Sequence, residues 1–119
     1  AEKQRILAEK QRILAEKQRL ADSKPSVKEE FHPNGKLESR TNYQPKSDGG
    51  EKHGLSEDYY ENGQLKYRRN FKDGEVDGTF ESYHDNGQLR SEGNFKDGKG
   101  DGLYKAYDRH GQLQKTRVF

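Results

Sequence analysis

Cysteine is absent from the 119-residue sequence. That excludes a disulfide framework, a thiolate metal site and a cysteine nucleophile, and it is compatible with any compartment. Apolar residues are scarce too, at 26% of the chain against 37% charged, and the mean hydropathy is −1.50. Leu, Ile, Val and Phe together number 19 of 119, below the roughly 20% that accompanies disorder. Disorder also requires a large net charge, and the formal net charge is only +2. Seven tyrosines supply part of the missing apolar area, since each can bury a ring and keep its hydroxyl wet. No apolar run approaches the ~20 residues that span a bilayer. These shortages predict a thin, elongated fold without a sealed core or a deep enzyme pocket.

An excess of one charge is also missing. Residues 1–24 carry seven basic and four acidic side chains, and the other 95 carry 16 and 17. A nucleic-acid binder gathers basic charge in one module, so nucleic acid is not an expected partner. The mildly basic N-terminal segment is weak support for contact with an anionic surface. The chain begins at Ala1, without an initiator methionine or a signal peptide, as expected of a processed or truncated product.

What the sequence does have is periodicity, of two lengths. Residues 1–20 read AEKQRIL AEKQRIL AEKQRL, which repeats every seven. Nearly every residue type in this run is a good helix former, so a helix of about 30 Å is expected. Ile6, Ile13 and Leu20 make one narrow stripe. Whichever of Ile or Leu is set in a seam, the alternate layer is Lys, Gln or Glu, so a self-sufficient two-stranded coiled coil is not expected. A docking helix or stalk fits better, and the tandem copying also fits a low-complexity expansion. Asp22, Ser23 and Pro25 should end the helix.

The second period is 24. Units starting at Gly54, Gly78 and Gly102 align Tyr59, Tyr83 and Tyr107; Gly63, Gly87 and Gly111; Leu65, Leu89 and Leu113; and Phe71, Phe95 and Phe119. An earlier, partial unit supplies Phe31, Gly35, Leu37 and Tyr43 at the same offsets, followed by an insertion around Pro45 and Gly49-Gly50. Asn34-Gly35, Asn62-Gly63 and Asn86-Gly87 are hairpin-turn signals, because both residue types tolerate positive φ. His110-Gly111 is a weaker version. Asp73-Gly74 and Asp97-Gly98 then turn the chain into the next strand, giving about eight short strands. Even spacing sets each Leu on the same strand face as the Phe six residues later, so Leu65, Leu89, Leu113, Phe71, Phe95 and Phe119 are expected to form one stripe.

The run YYENGQLK…NFKDGEVDG, with its pattern Y-x-x-N-G-x-L…F-K-D-G-x-x-x-G recurring at 24, resembles the bacterial variant of the MORN repeat over about residues 28–119. Proteins of this kind often carry a toxin–antitoxin antitoxin label. The resemblance implies stacked hairpins in an elongated sheet, a scaffold or interaction role, no shared catalytic residues, and protein or membrane phospholipid as possible partners. The sequence departs from the pattern at Ser56, where Phe80 and Tyr104 keep an aromatic, at the insertion in the first unit, and at His110.

Few groupings suggest chemistry. His32 and His84 are equivalent, but Tyr60 and Asp108 occupy the same place in the other units, so no ligand row recurs, and His53 and His110 stand alone. Asp73 with Asp77, and Asp97 with Asp101, echo calcium loops. Two carboxylates per turn fall short of the about six to eight oxygens that Ca²⁺ takes, and Asp-Gly is ordinary turn chemistry. Tyr59, Tyr83, Tyr107, Phe80, Tyr104 and Tyr67, near Arg68, Arg69 and Arg90, could stack bases or sugars, but packing between units is the better use of these rings. No catalytic, cofactor-binding or metal-ligating residue is assigned, and no cofactor.

The sequence therefore predicts a mostly β fold, an elongated single-layer antiparallel meander of repeated β-hairpins preceded by one N-terminal α-helix. The division is helix 1–22, linker 23–27 and four MORN-variant repeats over 28–119. The expected function is a non-catalytic repeat scaffold for an unidentified protein partner. The alternatives are a module binding an anionic membrane surface or another surface ligand, and an antitoxin-like regulatory binder. Self-association as a homo-oligomer, through the helix or a sheet edge, is expected. The compartment is open, with a bacterial extracytoplasmic or surface location slightly favoured over the cytoplasm.

Overall fold

Two kinds of turn build the sheet, and they divide the work of positive φ differently. In the computed structural model, which describes all residues from Ala1 to Phe119, Asp73 and Asp97 have φ of 50° and 51° and are the only non-glycine residues at positive φ. With Gly74 and Gly98 they form two-residue hairpin loops between Lys72 and Glu75 and between Lys96 and Lys99. The Asn-Gly turns work otherwise: both residue types tolerate the left-handed region, but one residue of each turn enters it. Only the glycine does so, at φ 88° in Gly63, and its N–H closes onto Tyr60 O at 2.9 Å. Asn62 keeps negative φ, and its Oδ1 accepts the Gln64 N–H at 2.9 Å.

The elements are α1 (Glu2–Asp22), β1 (Ser26–Phe31), β2 (Leu37–Tyr43), a 3-10 turn (Lys46–Asp48), β3 (Lys52–Tyr59), β4 (Leu65–Lys72), β5 (Glu75–Tyr83), β6 (Leu89–Lys96), β7 (Lys99–Gly100), β8 (Leu103–Tyr107) and β9 (Leu113–Val118). All strands pair antiparallel with neighbours in sequence in one open sheet, except that β8 pairs with β6 beyond the two-residue β7. The ninth strand arises because Asp101-Gly102 interrupts what is continuous in β5. The molecule measures 77 × 36 × 12 Å, and its radius of gyration is 21.0 Å. A compact chain of this length would have about 13.5 Å. The architecture is thus the elongated single-layer meander with one leading helix that the periodicities predict.

One expectation fails. Leu65 and Phe71 lie on opposite faces. Directly paired residues share a face, and Leu65 pairs with Tyr59 whereas Phe71 pairs with Gly54, five residues from Tyr59. A β-bulge after the turn makes the difference: Tyr67 pairs with Asp58, so Lys66 is the extra residue. The same shift separates Leu89, opposite Tyr83, from Phe95, opposite Gly78. Each bulge reverses the facing that simple alternation assigns.

One face of the sheet, the ring face, carries Tyr67, Phe71, Phe80, Phe95, Tyr104 and Phe119. Ring centroids are 6.3 Å apart for Tyr67–Phe80, 5.8 Å for Phe80–Phe95 and 6.4 Å for Tyr104–Phe119. All four buried residues, Phe71, Ser56, Ser82 and Ser91, are on it. Ser82 and Ser91 hydrogen-bond to one another across β5 and β6.

Helix α1 buries no residue. It meets the rest of the protein at the 3-10 turn formed by the inserted loop. Ser23 closes it, its hydroxyl donating to Leu20 O at 2.7 Å.

Candidate functional site

Consecutive units are joined by side chains as well as by strand pairing. His32 Nε2 hydrogen-bonds to Tyr59 O at 2.8 Å, the Tyr60 hydroxyl donates to Tyr83 O at 2.7 Å, and His84 Nε2 bonds to Tyr107 O at 2.9 Å. The position read as an interrupted histidine row is therefore one recurring link, for which a ring bearing a polar tip is the requirement. The turn asparagines add another: Asn34, Asn62 and Asn86 donate through Nδ2 to the carbonyls of Glu61, Asp85 and Arg109, at 2.9, 2.7 and 2.9 Å. In the fourth unit Asp108 takes the ring position. Its Oδ1 accepts the N–H of His110 and of Gln112 at 2.8 and 2.9 Å, and those bonds hold its carboxyl below the ordinary carboxylate range.

The face opposite the rings carries a row of charges that runs from β1 to β8 and ends at Thr116 in β9. Pair by pair it runs Glu29–Arg40, Arg40–Glu57, Glu57–Arg68, Arg68–Glu81, Glu81–Glu92, Glu92–Lys105 and Lys105–Thr116. Arg68 Nη2 sits 3.2 Å from Glu57 Oε2, and the hydrogen bond to this carboxylate raises the Arg68 pKa. Signs alternate until Glu81 meets Glu92, a like-charge pair that would be destabilising alone. Tyrosine hydroxyls relieve it. Tyr83 donates to Glu81, and Tyr107 donates to Glu92 at 3.1 Å. Burial, then the hydrogen bond to Glu81, pushes the Tyr83 hydroxyl up to about 12. Burial and the neighbouring Glu57 or Glu92 raise Tyr59 and Tyr107 as well.

Along the rim of this ladder face, next to the Asn-Gly turns, run the pairs Phe31–Leu37, Tyr59–Leu65, Tyr83–Leu89 and Tyr107–Leu113. The inner members are partly exposed, while Phe31 is 58% and Leu113 54% exposed. The result is an apolar stripe through all four units, bordered by charge. The six aromatics considered together from sequence are thus split, with Tyr59, Tyr83 and Tyr107 on the ladder face and Tyr67, Phe80 and Tyr104 on the ring face.

The ring face has its own irregularity. Ser56, where an aromatic is expected, is buried between Thr41 and Arg69. The Arg69 guanidinium lies 5.4 Å from the Phe71 ring centroid and 5.9 Å from that of Tyr67, and its Nη2 is 3.0 Å from Asp58 Oδ2. Arg69 with Tyr67, Phe80, Asp58, His32 and Lys66 lines an open cleft of about 240 Å³. Lys66 Nζ is 5.4 Å from the Tyr60 ring centroid.

Of the residues weighed for metal binding, His53 and Asp73 come together as a pair, with Nδ1 and Oδ1 3.9 Å apart, and no larger group forms. His53 Nδ1 accepts the Asp73 N–H at 3.3 Å, Asp73 Oδ1 accepts from Gln44 Nε2, and no group of three or more His, Asp and Glu side chains gathers with the spacing to hold a metal ion. No helix is long and apolar enough to cross a membrane.

Residues 27–44, 52–73 and 76–97, together more than half of the chain, match the family model described as MORN repeat variant. No curated protein matches the sequence. The matched segments correspond to the first three units; the fourth, with Asp108 and His110 at its turn, repeats their hairpin geometry in β8 and β9.

Proposed function

The chain belongs to the MORN repeat variant family, whose repeats are non-enzymatic modules involved in binding, and from that premise we propose that it is a protein-interaction scaffold whose contact surface is the ladder face. One observation carries the reading, the exposed and partly exposed aromatic–leucine stripe through four units beside the charge row. Aromatic residues in an apolar strip, rimmed by charges, are the composition of an interface core and its border. Eight strands at about 4.8 Å spacing make the stripe about 34 Å long, which suits one side of a standard interface of about 800 Å². Near-balanced charge along the ladder supports a protein partner over nucleic acid. An antitoxin's toxin would be one such partner, and nothing in the chemistry of this face singles it out.

The test compares the proteins captured from native lysate by the wild-type chain and by Leu65→Glu/Leu89→Glu. Both leucines are partly exposed, so the variant should remain folded, as its melting curve would report. A protein held by the wild type and lost on the folded variant supports the ladder face. Capture that survives the change but is lost in Lys66→Glu would move the contact to the ring-face cleft and overturn this assignment.

A further inference from the structure

We propose that α1 is a docking helix for an acidic helix of another protein, one that sets a carboxylate every seven residues against Lys3, Lys10 and Lys17. The heptads sort their own charges. Arg5 pairs with Glu2 at 2.8 Å, Arg12 with Glu9 at 2.5 Å and Arg19 with Glu16 at 3.8 Å, each at i,i+3. Those pairs neutralise all three arginines and all three glutamates, and Lys3, Lys10 and Lys17 take part in no ion pair. The unpaired charge of the heptads is thus a single row with steps of about 10.5 Å.

The row runs through apolar surface. Each lysine is followed three residues on by Ile6, Ile13 or Leu20, and the first two are followed four residues on by Leu7 and Leu14. Residues three and four apart are neighbours on a helix, so the lysines lie between an isoleucine side and a leucine side. Ile6, Leu7, Ile13, Leu14 and Leu20 are 47%, 56%, 42%, 64% and 51% exposed, so neither side is covered by the sheet.

This arrangement selects the occupant. A second α1 would lay lysine against lysine on this face in either direction, which is repulsive. A helix resting on lipid keeps its cations on the polar face, away from the apolar one, whereas here they occupy the middle of the apolar face. A partner helix with Glu or Asp at the matching heptad position and apolar residues beside it meets both the charge and the apolar rows, as complementary flanking charges do in coiled coils. The surface is separate from the ladder face, and its test does not depend on that face.

The experiment titrates the full chain with two peptides, residues 1–22 as they stand and the same peptide carrying Lys3→Glu, Lys10→Glu and Lys17→Glu. Binding should be about tenfold tighter to the acidic peptide and should weaken with salt. Placing the three Lys→Glu substitutions in the protein should reverse the preference. Equal binding to both peptides, binding of neither at millimolar concentration, or lysine-dependent binding to phosphatidylserine vesicles without peptide discrimination would each overturn the proposal, the last in favour of a membrane surface.

Discussion

His84 Nε2 lies 2.9 Å from the backbone carbonyl oxygen of Tyr107, a residue of the next unit. The Tyr60 hydroxyl makes the equivalent link one unit earlier, so two unlike side chains serve one purpose. Tyr60→Phe removes only a hydroxyl and leaves the Tyr83 carbonyl one partner short, which should cost about 1 kcal/mol. Urea unfolding measures this directly. An unchanged midpoint would mean that strand pairing alone holds the units together.

The two faces should respond differently to truncation. Phe71 is 8% exposed and is the one buried hydrophobic residue, so Phe71→Ala should cost about 3–5 kcal/mol. Leu89, partly exposed on the ladder face, should cost less in Leu89→Ala, about 1–2 kcal/mol. Equal losses in the two variants would contradict the facing that the bulges impose.

That contrast also marks where the sequence could and could not be read. The 24-residue period and the turn dipeptides made the meander, the glycine turns and the leading helix legible, because those signals are local. The facing of Leu65 and Phe71 is not legible, because their even spacing gives the same face in a regular strand and the bulge at Lys66 does not alter the sequence pattern. His32, Tyr60 and His84 differ in residue identity, which hides the position they share. A shared capacity to hydrogen-bond from a ring tip is the signal that would have found the link. The charge ladder was invisible for a related reason. Its members come from different strands, and only the register brings Arg40, Glu57 and Arg68 into line.

The Asn-Gly turn should be intolerant at its glycine. Gly87 has φ 86°, and a Cβ there would come within 3.1 Å of Gln64 Oε1. Gly87→Val combines left-handed strain with that contact, and should lower stability by about 1 kcal/mol or more. A melting temperature equal to wild type would refute the turn geometry.

Alkaline pH should weaken the sheet through Tyr83. Its hydroxyl is raised from 10.0 to about 12 by burial first and by the hydrogen bond to Glu81 second. A pKa raised by folding means that the neutral phenol is favoured in the native state. Its contribution is whole below the unfolded value near 10 and is lost progressively as pH rises towards about 12. Spectrophotometric titration of the tyrosines should show a late-ionising ring that disappears in Tyr83→Phe. In that variant stability should fall less steeply across the same window. Ionisation of all tyrosines together near the ordinary value would remove the basis of this expectation.

The helix and the sheet should unfold separately. No residue of α1 is buried, so its stability rests on helix propensity and on the Arg–Glu pairs, and an isolated helix of this length is marginal in water. The sheet draws on strand pairing, the ring face and the links between units, none of which involves residues 1–22. Heating should therefore melt the helical circular dichroism signal gradually, ahead of a later cooperative transition reported by tyrosine fluorescence. A protein beginning at Ser26 should keep that later transition to within about 0.5 kcal/mol. One coincident transition for both probes, or a sheet markedly destabilised by the truncation, would show that α1 packs on the repeats in solution, and would remove the exposed lysine row on which its docking role depends.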